Sequence, residues 1–359
     1  MYLESLQTHQ FRNLQDQRLE LGPGLTVFEG ANGQGKTNVL EAIYLLCTGR
    51  SFRTHGLIEC CRNGTESFSL SGSLQWEPRA KPLAVAYQAG KLQRLVYDTP
   101  RTGLEYLQES AIFAFTARSK QLVEGAPEER RRFLDRLVYF FEPHHLRELK
   151  EHKRLQQQIR QVLIEQGSPA LLRSFKQPYL TLSKRIVGRR IALIENLSNE
   201  AQQLFRQLFD FPLQLQFTYQ IRNGSSVDQY ERQMERIEAR ERLFKRLMMG
   251  PQLDDLSIEH GGFPASKFAS SGQIRAFVLS LECAAMQRFR SEKNTDPIFI
   301  FDDIDAELDL NRIHQFCSFM QSHGQVLVST SKHAIIPANM LNRAFFVEQG
   351  ATRLERNAE

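Results

Sequence analysis

Gly30-Ala31-Asn32-Gly33-Gln34-Gly35-Lys36-Thr37 fits the G-x-x-x-x-G-K-[ST] pattern without a mismatch. Glycines at these positions let the backbone fold round phosphates, so that successive N–H groups and a helix N-terminus face the anion. Lys36 has the reach and charge for β- and γ-phosphates, and the Thr37 hydroxyl is a ligand for Mg²⁺. A second candidate is Asp302-Asp303, which ends the apolar run Pro297–Phe301. Asp302 suits the metal, through water, and Asp303 is placed to orient or deprotonate an attacking water. Together these residues predict a bound nucleoside triphosphate.

The flanks supply what the loop needs. Leu25–Phe28 reads as a short buried strand, and Asn38–Leu46 as a helix with an apolar stripe. Residues 2–8 and 18–28 read as strands, linked through Gln10–Asn13 and interrupted by the Gly22-Pro23-Gly24 turn. Three alternating strands between Phe68 and Tyr97 predict an antiparallel meander, and Ile112–Phe115 one more buried strand. From Gly125-Ala126-Pro127 the period becomes helical. Leu172, Phe175, Tyr179, Leu182, Ile186, Leu193, Leu197, Leu204 and Leu208 mark a long amphipathic helix, with bends expected at Pro178 and Gly188. A strand over Leu213–Tyr219, a turn at Asn223-Gly224 and a charged helix over Val227–Met249 follow. Strand signals return at Leu253–Ile258; Ser270-Ser271-Gly272-Gln273 then opens a helix to about Arg290, and Gln325–Thr330 reads as an apolar strand. The division is an N-terminal part of a mixed α/β domain over 1–120, an inserted helical lobe over 121–250 and the rest of the α/β domain over 251–359.

The 359 residues, 24% charged and 41% hydrophobic, describe an ordinary globular protein. The five cysteines lack C-x-x-C spacing, which argues against a zinc site or disulfide framework and for a reducing compartment. Cys60-Cys61 and His144-His145 have no partners at ligand spacing. The start lacks signal-peptide regions and no apolar run approaches a membrane span, so a cytoplasmic protein without a membrane partner is expected. Positive charge gathers in the middle: residues 121–250 carry 23 basic and 16 acidic side chains. Within 143–190 the count is 11 against 3, and Lys184, Arg185, Arg189 and Arg190 are the expected contacts to a polyanion.

Taken together, these motifs resemble the ATPase heads of the ABC/SMC class, and more narrowly the RecF family of bacterial recombination mediators. The broad likeness rests on the phosphate loop, Ser270–Gln273, Asp302-Asp303 and Glu307-Leu308-Asp309. The narrow one rests on Phe11-Arg12-Asn13, Leu40–Tyr44, Gly49-Arg50-Ser51-Phe52-Arg53-Thr54, the stretch Gly125 to Asp135, and Gly250-Pro251 with Asp254-Asp255-Leu256. The resemblance implies an ABC/SMC-like phosphate-loop head with an inserted lobe. ATP would contact Arg12, the loop from Gly30 to Thr37, and Asn38, while Ser270, Gly272 and Gln273 of a second copy cap it. It further implies a weak DNA-dependent ATPase: an ATP-held homodimer clamping single-stranded gaps and duplex DNA, with release on hydrolysis. Recombinase loading, replication restart, SOS induction and the partners RecR and RecO also follow from the family.

The chain departs from the family pattern in three places: Thr116-Ala117-Arg118-Ser119 replaces an acidic turn, Gln252-Leu253 a His-Arg pair, and Ser329-Thr330 carries no histidine at the strand end. Alternatives weigh less. The large basic insertion argues against a transporter ATPase, and a fused nuclease has no room after Ser329. A nucleotide-switched DNA scaffold with negligible hydrolysis is opposed by the intact Asp302-Asp303.

Overall fold

The structure, a computed structural model, describes residues 1–76, 79–209, 214–223 and 226–357. Its chain divides into two compact units, Met1–Ser119 with Met286–Glu359, and Lys120–Ala285. The second unit takes in the Ser270–Gln273 turn as well as the helical stretch.

The first unit holds two sheets. In one, β1 (Tyr2–His9), β2 (Gln17–Glu20), β4 (Phe68–Trp76), β5 (Arg79–Gln88), β6 (Lys91–Val96) and β7 (Thr99–Pro100) pair antiparallel in the order β2-β1-β4-β5-β6-β7. The meander is its β4–β6 portion. The other has the order β15-β14-β3-β13-β12-β8, from β3 (Gly24–Glu29), β8 (Ile112–Phe115), β12 (Ile298–Phe301), β13 (Gln325–Thr330), β14 (Arg343–Glu348) and β15 (Ala351–Asn357). Its strands are parallel except β15. Strands β8 and β12 are buried at every position, which explains their continuous apolar runs.

The stretch 18–28, expected to turn at Gly22-Pro23-Gly24, is two strands that belong to different sheets. The chain changes sheet at Gly22-Pro23-Gly24. Gly24 has φ 81°, and a Cβ there would come within 2.0 Å of Asn342 Oδ1, the oxygen that accepts from Leu25 N.

In the second unit three helices, His145–Ile164, Pro169–Phe209 and Tyr230–Phe244, pack around Leu155, Ile159, Leu172, Tyr179, Val187, Tyr230 and Met234. The 41-residue helix Pro169–Phe209 runs on through Pro178 and Gly188. A small sheet, order β11-β10-β9, comprises β9 (Leu215–Gln220), β10 (Asp255–His260) and β11 (Phe263–Pro264). The expected positions Leu213 and Gly224 lie outside the described residues. The charged helix ends at Phe244, earlier than Met249, because Lys245 takes a left-handed conformation with φ 51°.

Candidate functional site

Strand register brings the chemistry to one edge. Phe301 on β12 lies beside Val328 on β13, which lies beside Val27 on β3. Because all three strands are parallel, Asp302, Ser329 and Gly30 emerge at the same carboxyl end, the usual place for a ligand in such sheets.

The loop between β3 and the helix Lys36–Thr48 is built for close approach. Gly30, Gly33 and Gly35 have φ of 150°, 79° and 118°, conformations open to glycine. A Cβ on Gly30 would meet Val347 O at 2.3 Å, whereas one on Gly33 would meet nothing within 4 Å. Lys36 is buried and donates to the carbonyls of Gly30 at 2.8 Å and Ala31 at 3.0 Å. The loop is braced from outside: Gly350 N donates to Gln34 O at 2.9 Å and Gln349 N to Gln34 Oε1 at 2.7 Å. Asn38 donates to Asn13 Oδ1 at 2.7 Å. Gln34 and Asn38 thus have side-chain partners within the protein, while Ala31, Asn32 and Gly33 form the exposed rim.

Asp302 is the hub of the carboxylate end. Its Oδ1 accepts from Thr37 Oγ1 and Ser329 Oγ, each at 2.8 Å. Burial pushes the carboxyl above its ordinary range, against those two hydroxyls and the nearby Arg53 charge. Thr37 Oγ1 and Asp302 Oδ1 thus converge as oxygen donors of the kind Mg²⁺ takes, directly or through water, so this pair fits the ion.

Asp303 faces elsewhere. It sits in the left-handed region (φ 56°, ψ 54°), and its N–H donates to Ser329 Oγ at 2.8 Å. A non-glycine residue held there carries about 1–3 kcal/mol of strain, a feature that clusters at functional sites. Burial raises its carboxyl too, with Lys36 opposing and Asp305 reinforcing. Sequence adjacency therefore hides two environments: hydroxyl donors for Asp302, the Lys36 ammonium field for Asp303.

Arg12 is anchored on a protein carboxylate. Its guanidinium makes a bidentate pair with the fully buried Glu41 at 2.8 and 2.9 Å. Desolvation opposes its charge, but the Glu41 bonds prevail and hold it above its ordinary value. Ser51 and Arg53 reach the same carboxylate, and Arg53 also donates to Asn38 Oδ1 at 2.6 Å. Arg53, named from sequence only within the Gly49–Thr54 motif, is thus joined to the loop through Asn38 and Glu41. His333 Nδ1 lies 2.6 Å from Glu29 Oε2, and with Glu355 these groups bring ligand atoms within 4.8 Å of one another.

Ser270, Gly272 and Gln273 lie in the second unit, at the start of the helix Ser271–Lys293. Ser270 N donates to Gln273 Oε1 at 2.8 Å, and Gln273 N to Ser270 Oγ at 3.3 Å. That is a reciprocal capping box. It gives both side chains a structural task, while Ser270 stays exposed.

The four expected polyanion contacts separate. Arg190 is 2% exposed, paired with Asp135 at 2.8 Å and bonded to Pro251 O and Tyr219 Oη. It is a core residue, and its assignment to nucleic acid is corrected on that ground. Lys184 pairs with Glu231 at 2.9 Å, and Arg185 and Arg189 both pair with Glu148, yet all three keep solvent access. All five cysteines are free and buried. Among the described residues, no helix is long and apolar enough to cross a membrane.

Comparisons extend the likeness over nearly the whole chain. The family described as RecF/RecN/SMC N terminal domain matches residues 2–353. The chain is 32% identical over 362 residues to the DNA replication and repair protein RecF of Anaeromyxobacter sp. (strain Fw109-5), with 98% of each covered. It is 30% identical over 354 residues to that of Myxococcus xanthus, covering 94% of this chain and 92% of the relative. A solved recombination mediator protein RecF with ATP shares the fold at TM-score 0.88 and 22% identity, covering 99% of this chain and 98% of that one. An Smc head domain from Pyrococcus yayanosii is similar at TM-score 0.62 and 13% identity, with 99% and 96% covered.

Proposed function

The chain belongs to the RecF family of DNA replication and repair proteins, and from that premise we propose that it is an ATP-switched DNA clamp. ATP enters the loop from Gly30 to Thr37, and Lys36 leaves the Gly30 and Ala31 carbonyls to meet the β- and γ-phosphates. Thr37 and Asp302 would hold Mg²⁺, which would supply positive charge against the phosphates. Asp303 accepts a proton from the attacking water, and Arg53 faces the same phosphates from its anchorage on Glu41 and Asn38.

Ser270 and Gly272 of a second copy complete the site, so ATP joins two copies on gapped or duplex DNA and hydrolysis parts them. Lys184, Arg185 and Arg189 contribute phosphate contacts. Work with RecR and RecO, recombinase loading and SOS induction follow from family membership. The observation that carries the reading is the contact of Asp302, just past β12, with Thr37 in the first turn of the helix Lys36–Thr48 and Ser329 on β13. Sedimentation of the full chain with ATP, ADP and gapped DNA tests it. A dimer in ATP and a monomer in ADP is the expected result; one mass in both would overturn it.

A further inference from the structure

Two phenylalanines stand exposed just ahead of Ser270. Phe263 belongs to β11 and is 59% exposed; Phe268 closes the one-turn helix Ala265–Phe268 and is 68% exposed. Their rings touch, with centroids 5.4 Å apart and planes tilted 55°. The segment that carries them is fixed. Phe263 and Pro264 pair with His260 and Glu259 on β10, Ala265 is buried, and Ala269 N donates to Ala265 O at 3.0 Å. Two large rings are thus held against each other in water on an ordered support.

The surroundings decide what covers them. Between Gly261 and Gly272 the chain has one charged residue, Lys267; the rest are Gly, Phe, Pro, Ala and Ser. A DNA contact would call for clustered Lys and Arg. Exposed aromatic anchors with few charges around them are instead what the core of a protein–protein interface carries. The patch is continuous in sequence with Ser270, which lies two residues beyond Phe268. We infer that Phe263 and Phe268 form an apolar contact covered by a second copy of this chain when two copies close over ATP. This rests on the ATP-dimer reading above and adds its apolar component. In a two-fold dimer the contact occurs twice, so each substitution acts twice.

The test uses the full chain with Phe263→Ser and Phe268→Ser combined, substitutions of exposed rings that spare the core. Dimerisation in ATP is followed by sedimentation velocity, and monomer ATP binding by equilibrium dialysis. Burial of two rings per copy predicts an ATP-dimer dissociation constant raised at least about 100-fold, with monomer ATP affinity unchanged and little dependence of the effect on salt. An unchanged dimer constant would overturn the inference while leaving the clamp intact. A wild-type chain that stays monomeric in ATP would overturn the clamp, and the inference with it. Unchanged dimerisation with weakened single-stranded DNA binding would mean that the rings stack on bases, and would also overturn it.

Discussion

Thr37 donates its hydroxyl to Asp302 Oδ1 at 2.8 Å across 265 positions of sequence. Ser329 adds a second hydroxyl to the same oxygen, so the carboxylate is oriented from a helix start and a strand before any ligand arrives. Asp302→Asn keeps the shape and removes the charge. It should weaken Mg²⁺-dependent ATP binding roughly 10–100-fold, as expected for a charged contact, with little change in binding measured in EDTA. Thr37→Val should do the same. Equal affinities for wild type and variants in Mg²⁺ would contradict the metal assignment.

Ser270 has a structural and a proposed intermolecular task, and two substitutions separate them. Ser270→Asp keeps a good helix cap but places negative charge where the partner's γ-phosphate would lie. Thermal stability and monomer ATP binding should stay near wild type while the ATP dimer is lost. Ser270→Arg should also block the dimer, with some loss of helix stability. An Asp variant that dimerises normally would confine Ser270 to capping.

Charge on the lobe divides into surface and core. Reversing Lys184, Arg185 and Arg189 to Glu should lower the salt dependence of duplex binding, by about 0.9 log unit per log salt for each phosphate left without its cation. Arg190→Met should act differently. It leaves the mostly buried Asp135 with His145 as its remaining partner, at a cost of up to roughly 3–5 kcal/mol of stability, without altering the salt slope of the folded fraction. The opposite pattern would place Arg190 on the DNA.

His152 makes lobe stability depend on pH. Its ring stacks on Tyr179 with centroids 4.4 Å apart and its Nε2 lies 3.0 Å from Ser183 Oγ. Desolvation, followed by the Arg190 charge, lowers its pKa to about 4, with Asp135 opposing. The folded state therefore binds the proton more weakly than the unfolded chain near 6.5. Stability is fully present above about 6.5 and is lost as pH falls toward 4, by up to roughly 3 kcal/mol. Melting curves from pH 7.5 to 5 should show the decline, and His152→Gln should flatten it. An equal slope in the variant would assign the decline to other groups.

The parts legible in the sequence were those whose chemistry fixes both residue type and spacing. The phosphate loop needs glycines at given positions, and β12 and β13 are buried on both faces, so their apolar runs stand out. Strands β14 and β15 were missed: Arg343–Glu348 alternates weakly, and its place beside β3 is a long-range pairing with no local signal. Arg189 and Arg190 show why charge counts misplace residues. Neighbours on a helix point about 100° apart, so one reaches Glu148 near the surface and the other Asp135 in the core. The Arg12 pairing with Glu41 was hidden likewise, because it joins a turn to a helix 29 positions away.

The central claim is that hydrolysis times the release of DNA, and Asp303 is where it can be tested. Its left-handed backbone turns it away from the hydroxyls that hold Asp302 and into the field of Lys36. Asp303→Asn should spare ATP binding and dimer formation while slowing hydrolysis roughly 10²–10⁴-fold. The decisive measurement is the dissociation of labelled DNA after a competitor chase, in ATP and in ADP, for wild type and variant. The clamp predicts that the variant holds DNA far longer than wild type in ATP and releases it equally fast in ADP. Equal lifetimes in ATP would contradict it.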